Sequence, residues 1–157
     1  MAKGSTIPFS LTGKGSVVKQ KLAIAGSPLT IDVVGHSAFG GDNSAPSPLD
    51  YALAALSSCT QVTSQIIASQ DPSIELGEWS INLTSHLDNS VLVFGEEGIS
   101  NFSDVHLDIC VETNLDDEKF AAFAIEVERR CPITQLFRGS GVKFSSNWKN
   151  IELRKAA

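Results

Sequence analysis

A chain of 157 residues, 42% of them hydrophobic, can bury a sizeable core within one domain. Its net charge of -6, its pI near 4.9 and its scattered basic residues argue against a binder of phosphate backbones, so no nucleic-acid partner is expected. No apolar run approaches the roughly 18 to 20 residues that span a bilayer.

Residues 16–25, "SVVKQKLAIA", and 29–34, "LTIDVV", read as two strands joined by the turn residues "GSP". The loop "GHSAFGGDNSAPSP" then leads into a long helix, "PSPLDYALAALSSCTQVTSQIIASQ", with Cys59 in its middle. Ser47 suits the N-cap, Pro48 the first helical position, and Asp50 stands where a capping box places its acid. Ala52, Ala55, Cys59, Val62 and Ile66 fall on one stripe, and Leu49, Leu53, Leu56, Thr60, Thr63 and Ile67 on the next. A helix apolar over most of its circumference is expected at the centre of the fold, with Cys59 facing an interior or an interface.

Further on, 77–87 alternates as a strand through Trp79, Ile81, Leu83 and Ser85, and "GEEG" within 90–103 reads as a hairpin tip or loop. Strand 104–113 sets Val105, Leu107, Ile109 and Val111 on one face. His106, Asp108, Cys110 and Glu112 take the other, which makes Cys110 a partly exposed thiol. "NLDDEKFAAFAIEVERR" opens on acids and closes on two arginines, the order a helix macrodipole favours. "CPITQLF" reads as a short helix capped by Cys131, and "GSGVKFSSNWKNIEL" as a final strand. The order ββ-α-ββ-α-α-β predicts a single α+β domain over 1–157, two main helices packing against an antiparallel sheet.

The N-terminal "MAKGSTIPFSLTGKGS" lacks the continuous apolar core of a secretory signal, so a cytoplasmic location with reduced thiols is expected, away from any membrane. Cys59, Cys110 and Cys131 are too few for a disulfide framework, and His36, His86 and His106 form no zinc pattern with them, so no metal is expected. A reactive cysteine needs its pKa lowered below about 8.5. Cys131 has local help, from free N-H groups at a helix start and from Arg129 and Arg130 beside it. Cys59 has none from its own helix, because it lies about three turns past the N-terminus and the dipole fades within one. On spacing alone Cys59, on an apolar helix stripe, reads as a small buried hydrophobe, and Cys131 is balanced between a structural and a reactive role.

Three features together resemble the OsmC/Ohr family of thiol-dependent peroxidases: "GGDNSAPSPLDYALAALSSCT", the "CPI" motif 72 residues beyond Cys59, and the element order over nearly the whole chain. The resemblance implies an OsmC-like fold and an intertwined homodimer with two cysteine sites near its interface. It implies Cys59 as the peroxidatic cysteine and Cys131 as the resolving one. An organic hydroperoxide would oxidise Cys59 to a sulfenic acid, Cys131 would condense with it to a disulfide, and a dithiol reductant, in relatives often a lipoylated protein, would reset the pair. No bound cofactor is required.

Relatives also use an upstream arginine and a glutamate ten residues before the cysteine. Here residues 1–128 hold no arginine, and Leu49 stands at the glutamate position. Asp50, nine residues before Cys59, lies on the opposite side of the helix and about 13.5 Å away along its axis, so its expected role is capping. His36 and Arg130 are the candidate thiolate activators by position. The alternative class is a non-catalytic binding module holding an apolar small molecule at the dimer interface. A hydrolase with Cys59 as acyl nucleophile ranks last, since no general base at credible spacing supports it.

Overall fold

The structure is a computed structural model and describes residues 4–154; the first three residues of the N-terminal segment read above lie outside them. The chain divides into two compact units between Ala52 and Leu53.

The first unit is built on an antiparallel meander of β1 (Leu11–Ser16), β2 (Lys19–Ile24) and β3 (Thr30–Val34), in that order. The stretch expected as one strand over 16–25 is broken at Val17, whose φ of 53° turns the chain so that β1 pairs back on β2. "LTGKGS" carries two glycines and little apolar character, which hid β1 from periodicity. β1 is exposed along its whole length, and Val34 is the sheet's buried residue. A 3-10 turn at Ser37–Phe39 follows, and Gly41 closes the loop with its N–H on the His36 carbonyl at 3.2 Å. A Cβ on Gly41 would stand 1.5 Å from the Gly35 carbonyl oxygen, so the second glycine of the pair is a steric requirement.

Helix α1 (Pro48–Gln70) starts as its sequence requires. The Asp50 carboxylate accepts from the Ser47 N–H at 2.9 Å and hydroxyl at 2.7 Å, and the Asp50 N–H donates to the Ser47 hydroxyl at 3.2 Å. These reciprocal bonds hold the Asp50 carboxyl below its ordinary range.

In the second unit β4 (Leu76–Leu87), β5 (Phe102–Thr113) and β6 (Lys143–Glu152) form a sheet in that order. β4 and β5 are antiparallel, but β5 and β6 are parallel, so the expected antiparallel sheet is mixed. The cause is the connection: α3 (Asp117–Arg130) and α4 (Pro132–Gly139) carry the chain back before β6 begins, as a parallel neighbour demands. The segment read as a hairpin tip contains a short helix, α2 (Ser90–Phe94), closed by Gly95 at φ 66°.

Val105, Leu107, Ile109 and Val111 are buried, as their alternation predicts. Val111 packs with Ile67 of α1 and with Phe120, Phe123 and Val127 of α3, flanked by Trp79 and Trp148. The buried residues of α1 are Leu56, Thr60, Thr63 and Ile67, all on the second of the two stripes read in the sequence, and Ser64, which lies outside both. On the first stripe Val62 and Ile66 remain 55% and 44% exposed, so α1 is buried on one side within the chain. Among the described residues no helix is long and apolar enough to cross a membrane.

Candidate active site

The site grows from the corner between α3 and α4. Asp116 caps α3 by accepting from the Lys119 N–H at 2.8 Å, and the helix ends at Arg129 and Arg130. Cys131 then leaves helical geometry (φ -70°, ψ 113°) and is at once the C-cap of α3 and the N-cap of α4. Its N–H donates to the Val127 carbonyl at 2.8 Å, and its Sγ accepts from the Thr134 N–H at 3.4 Å. Pro132 occupies the first helical position, where no N–H is missed.

The corner is tied down by Glu128, a residue the sequence reading did not single out. Its side chain is only 14% exposed, and its carboxylate accepts from Arg138 of α4 and from Ser146 and the Trp148 indole (2.9 Å) of β6. Its carbonyl accepts from the Gln135 amide at 2.8 Å. The Arg138 guanidinium also lies 4.9 Å over the Phe144 ring. Cys131 is therefore fixed by both helices it joins, and it is fully buried.

Cys59 of α1 meets this corner. The two sulfurs are close enough for each to act on the other's ionisation, and both are free thiols. The Cys59 Sγ also lies 3.9 Å from the Thr63 hydroxyl, one helical turn on. Burial raises the Cys59 pKa, the neighbouring Cys131 raises it further, and the Ile133 N–H and the Thr63 hydroxyl only partly offset them. Burial also pushes Cys131 up, but bonds from the Thr134 hydroxyl and N–H, from the Cys59 thiol and from the Ile133 N–H outweigh it. The net direction for Cys131 is down, opposite to that of Cys59.

The other candidates lie as follows. His36 caps the 3-10 turn of the first unit, its Nδ1 accepting from the Ala38 N–H at 3.1 Å. Arg130 donates to the Gln70 amide oxygen at 3.0 Å, which draws its guanidinium toward the C-terminal end of α1, about 16 Å along the axis from Cys59. Arg129 forms a two-pronged pair with Glu126, at 2.7 Å for each bond. Cys110 sits partly exposed on the polar face of β5, as expected, on the same strand face as His106, which bonds the Ser145 hydroxyl. His86 pairs with Asp104 on the same sheet. Thr63, Glu128 and Thr134 were missed. Cap rules applied to "CPIT" would have found Thr134, three residues past its cap, whereas nothing local marks Glu128.

No curated protein sequence matches this chain. Its fold is similar to that of an OsmC-like protein from Mycoplasma pneumoniae (16% identity, TM-score 0.72, covering 94% of this chain and 99% of that one). It is likewise similar to an organic hydroperoxide resistance protein from Elizabethkingia anophelis (16%, TM-score 0.73, 94% and 99%). A third, an organic hydroperoxide resistance protein OsmC from Legionella pneumophila, gives 14%, TM-score 0.68, 93% and 99%. The sequence profile of the OsmC-like proteins matches residues 41–147, a segment that contains both cysteines of the site and more than half the chain, and on that ground the chain belongs to the OsmC-like protein family.

Proposed function

We propose that this protein is a thiol-dependent peroxidase that reduces organic hydroperoxides in the cytoplasm, cycling between the Cys59–Cys131 dithiol and a disulfide. The observation that carries this reading is the meeting of two free cysteines 72 residues apart, one partly accessible on α1 and one fully buried at the α3–α4 corner. In the cycle Cys59 attacks the distal peroxide oxygen and becomes a sulfenic acid. Cys131 displaces its hydroxyl as water, and an external dithiol, such as a lipoylated protein, restores both thiols.

Cys59 shares its helix face with Val62 and Ile66, an apolar track suited to an alkyl or aryl peroxide more than to hydrated hydrogen peroxide. The names carried by the Elizabethkingia and Legionella proteins support the same substrate class. A homodimer is part of the proposal, because the β1–β3 sheet has almost no buried face and a three-stranded sheet needs one.

Cumene hydroperoxide added to the reduced protein, followed by thiol counting and disulfide mapping, tests the reading. A Cys59–Cys131 bond within seconds is the expected result, and Cys59→Ser abolishes peroxide consumption. Oxidation no faster than that of Cys110 would sink the proposal and leave a binding module with passive cysteines.

A further inference from the structure

Three of the four arginines of this chain face a carboxylate. Arg129 holds Glu126 by two bonds of 2.7 Å, Arg138 pairs with Glu128, and Arg154 pairs with Glu112 at 2.5 Å. Arg130 is the exception among the described residues: its guanidinium donates to the Gln70 amide oxygen at 3.0 Å, a neutral partner. Glu126 feels the Arg130 charge, but both oxygens of that carboxylate are already taken by Arg129. A guanidinium carries its donors in a flat fork, and one bond to an amide leaves most of that fork to be filled.

Helix α1 sets where that charge lies. Gln70 ends the helix three turns beyond Cys59, and the two residues fall within about 20° of each other around it. Ile66 lies on the same line and Val62 beside it, 44% and 55% exposed, and no charged side chain follows Asp50 on this helix. The partly accessible Cys59 therefore begins an apolar track about 16 Å long that ends where Gln70 holds a guanidinium.

Resting on the peroxidase reading, we propose that Arg130 is a specificity-determining residue, binding the carboxylate of a long-chain peroxide that lies along α1 with its hydroperoxide at Cys59. The preferred substrates are then hydroperoxides of free fatty acids, with about a dozen carbons between carboxylate and peroxide to match the length of the track. Val62 and Ile66 take methylenes out of water, and the guanidinium meets the carboxylate by charge-assisted bonds. Arg130 is remote from the reacting oxygens, so its contact is the same in ground and transition states. Its contribution falls on KM and leaves kcat alone.

The test compares the 13-hydroperoxide of linoleic acid with its methyl ester, which keeps the chain and the peroxide and removes the charge. Both are given below micelle-forming concentration, with excess dithiol as reductant. In the full chain kcat/KM for the acid should exceed that for the ester about tenfold, the difference lying in KM. Arg130→Gln should bring the ratio to about one, and Arg130→Lys, which keeps a charge without the fork, should leave it between the two. The 9-hydroperoxide, with its peroxide nearer the carboxylate, should give a smaller ratio than the 13-hydroperoxide.

A ratio of about one in the unsubstituted chain overturns the assignment, and would mean that a second copy or another surface covers the track. So does a loss in Arg130→Gln that is equal for acid and ester, because a merely structural arginine, or one that activates Cys59, would move both alike. Cumene hydroperoxide, short and neutral, separates this inference from the reading beneath it. Disulfide formed by cumene hydroperoxide, with acid and ester treated alike, overturns this inference alone. If none of these peroxides oxidises Cys59 and Cys131, the peroxidase reading itself falls.

Discussion

The two sheets of this protein differ in strand length, 5 or 6 residues against 10 to 12, and differ more in what they bury. In the second unit, β5 places Val105, Leu107, Ile109 and Val111 inside, and Ile67 of α1 with Phe120, Phe123 and Val127 of α3 packs on the Val111 end of that row. In the first unit, β1 is exposed throughout, β2 is only partly covered, and Val34 alone is buried. One sheet carries its own core, and the other presents a pleated surface that has none. The difference separates a sheet that carries a core from one that buries almost nothing within the chain, and both cysteines of the site belong to the unit with the core.

The comparison can be broken by substitution, starting with the covered sheet. Leu107→Ala removes a fully buried side chain and should cost about 2–5 kcal/mol in denaturant unfolding. A loss below about 1 kcal/mol would mean that the second sheet does not supply the core. Leu11→Asp acts on the open sheet, and its effect should appear in association. If a second copy covers β1, burying that leucine is worth about 1.5–3 kcal/mol, so the charge should weaken dimerisation about tenfold to a hundredfold in sedimentation. A species whose mass ignores the substitution would show that the homodimer does not use this face.

Smaller effects fall at the start of α1. Ser47→Ala removes a buried cap and should cost about 1 kcal/mol of thermal stability. Asp50 gives the finest probe, because its carboxyl is held below the ordinary aspartate value chiefly by the Ser47 hydroxyl and N–H. Since its folded pKa is depressed, its contribution is present above the unfolded value near 3.9 and is lost as pH falls through the lower folded value. Asp50→Asn should therefore flatten the acid limb of stability against pH, leaving neutral-pH unfolding the smaller readout. A limb of unchanged slope would remove Asp50 from the cap.

Most elements of the second unit could be read directly from residue order. The alternation through Val105 and Val111, the acids before Phe120 and the arginines after Val127 are local signals, and Cys131 followed by Pro132 marked a helix start. β1 was not legible, because "LTGKGS" pairs by backbone bonds and buries nothing that periodicity could reveal. The parallel register of β6 against β5 was equally hidden, since pairing direction depends on where α3 and α4 deliver the chain.

For the site, the sequence by itself determined the two sulfurs, the cap that Cys131 makes and the lack of any upstream arginine, because each is a matter of residue identity and local spacing. Tertiary structure alone decided that Cys59 and Cys131 meet, that Arg130 turns to Gln70, and that Glu128 locks the corner to β6. It also decided that burial and neighbours push the Cys59 thiol up and the Cys131 thiol down. Ionisation answers to every dipole and neighbour within a few ångströms, and those neighbours come from α1 and α4, elements 72 residues apart at the reacting atoms.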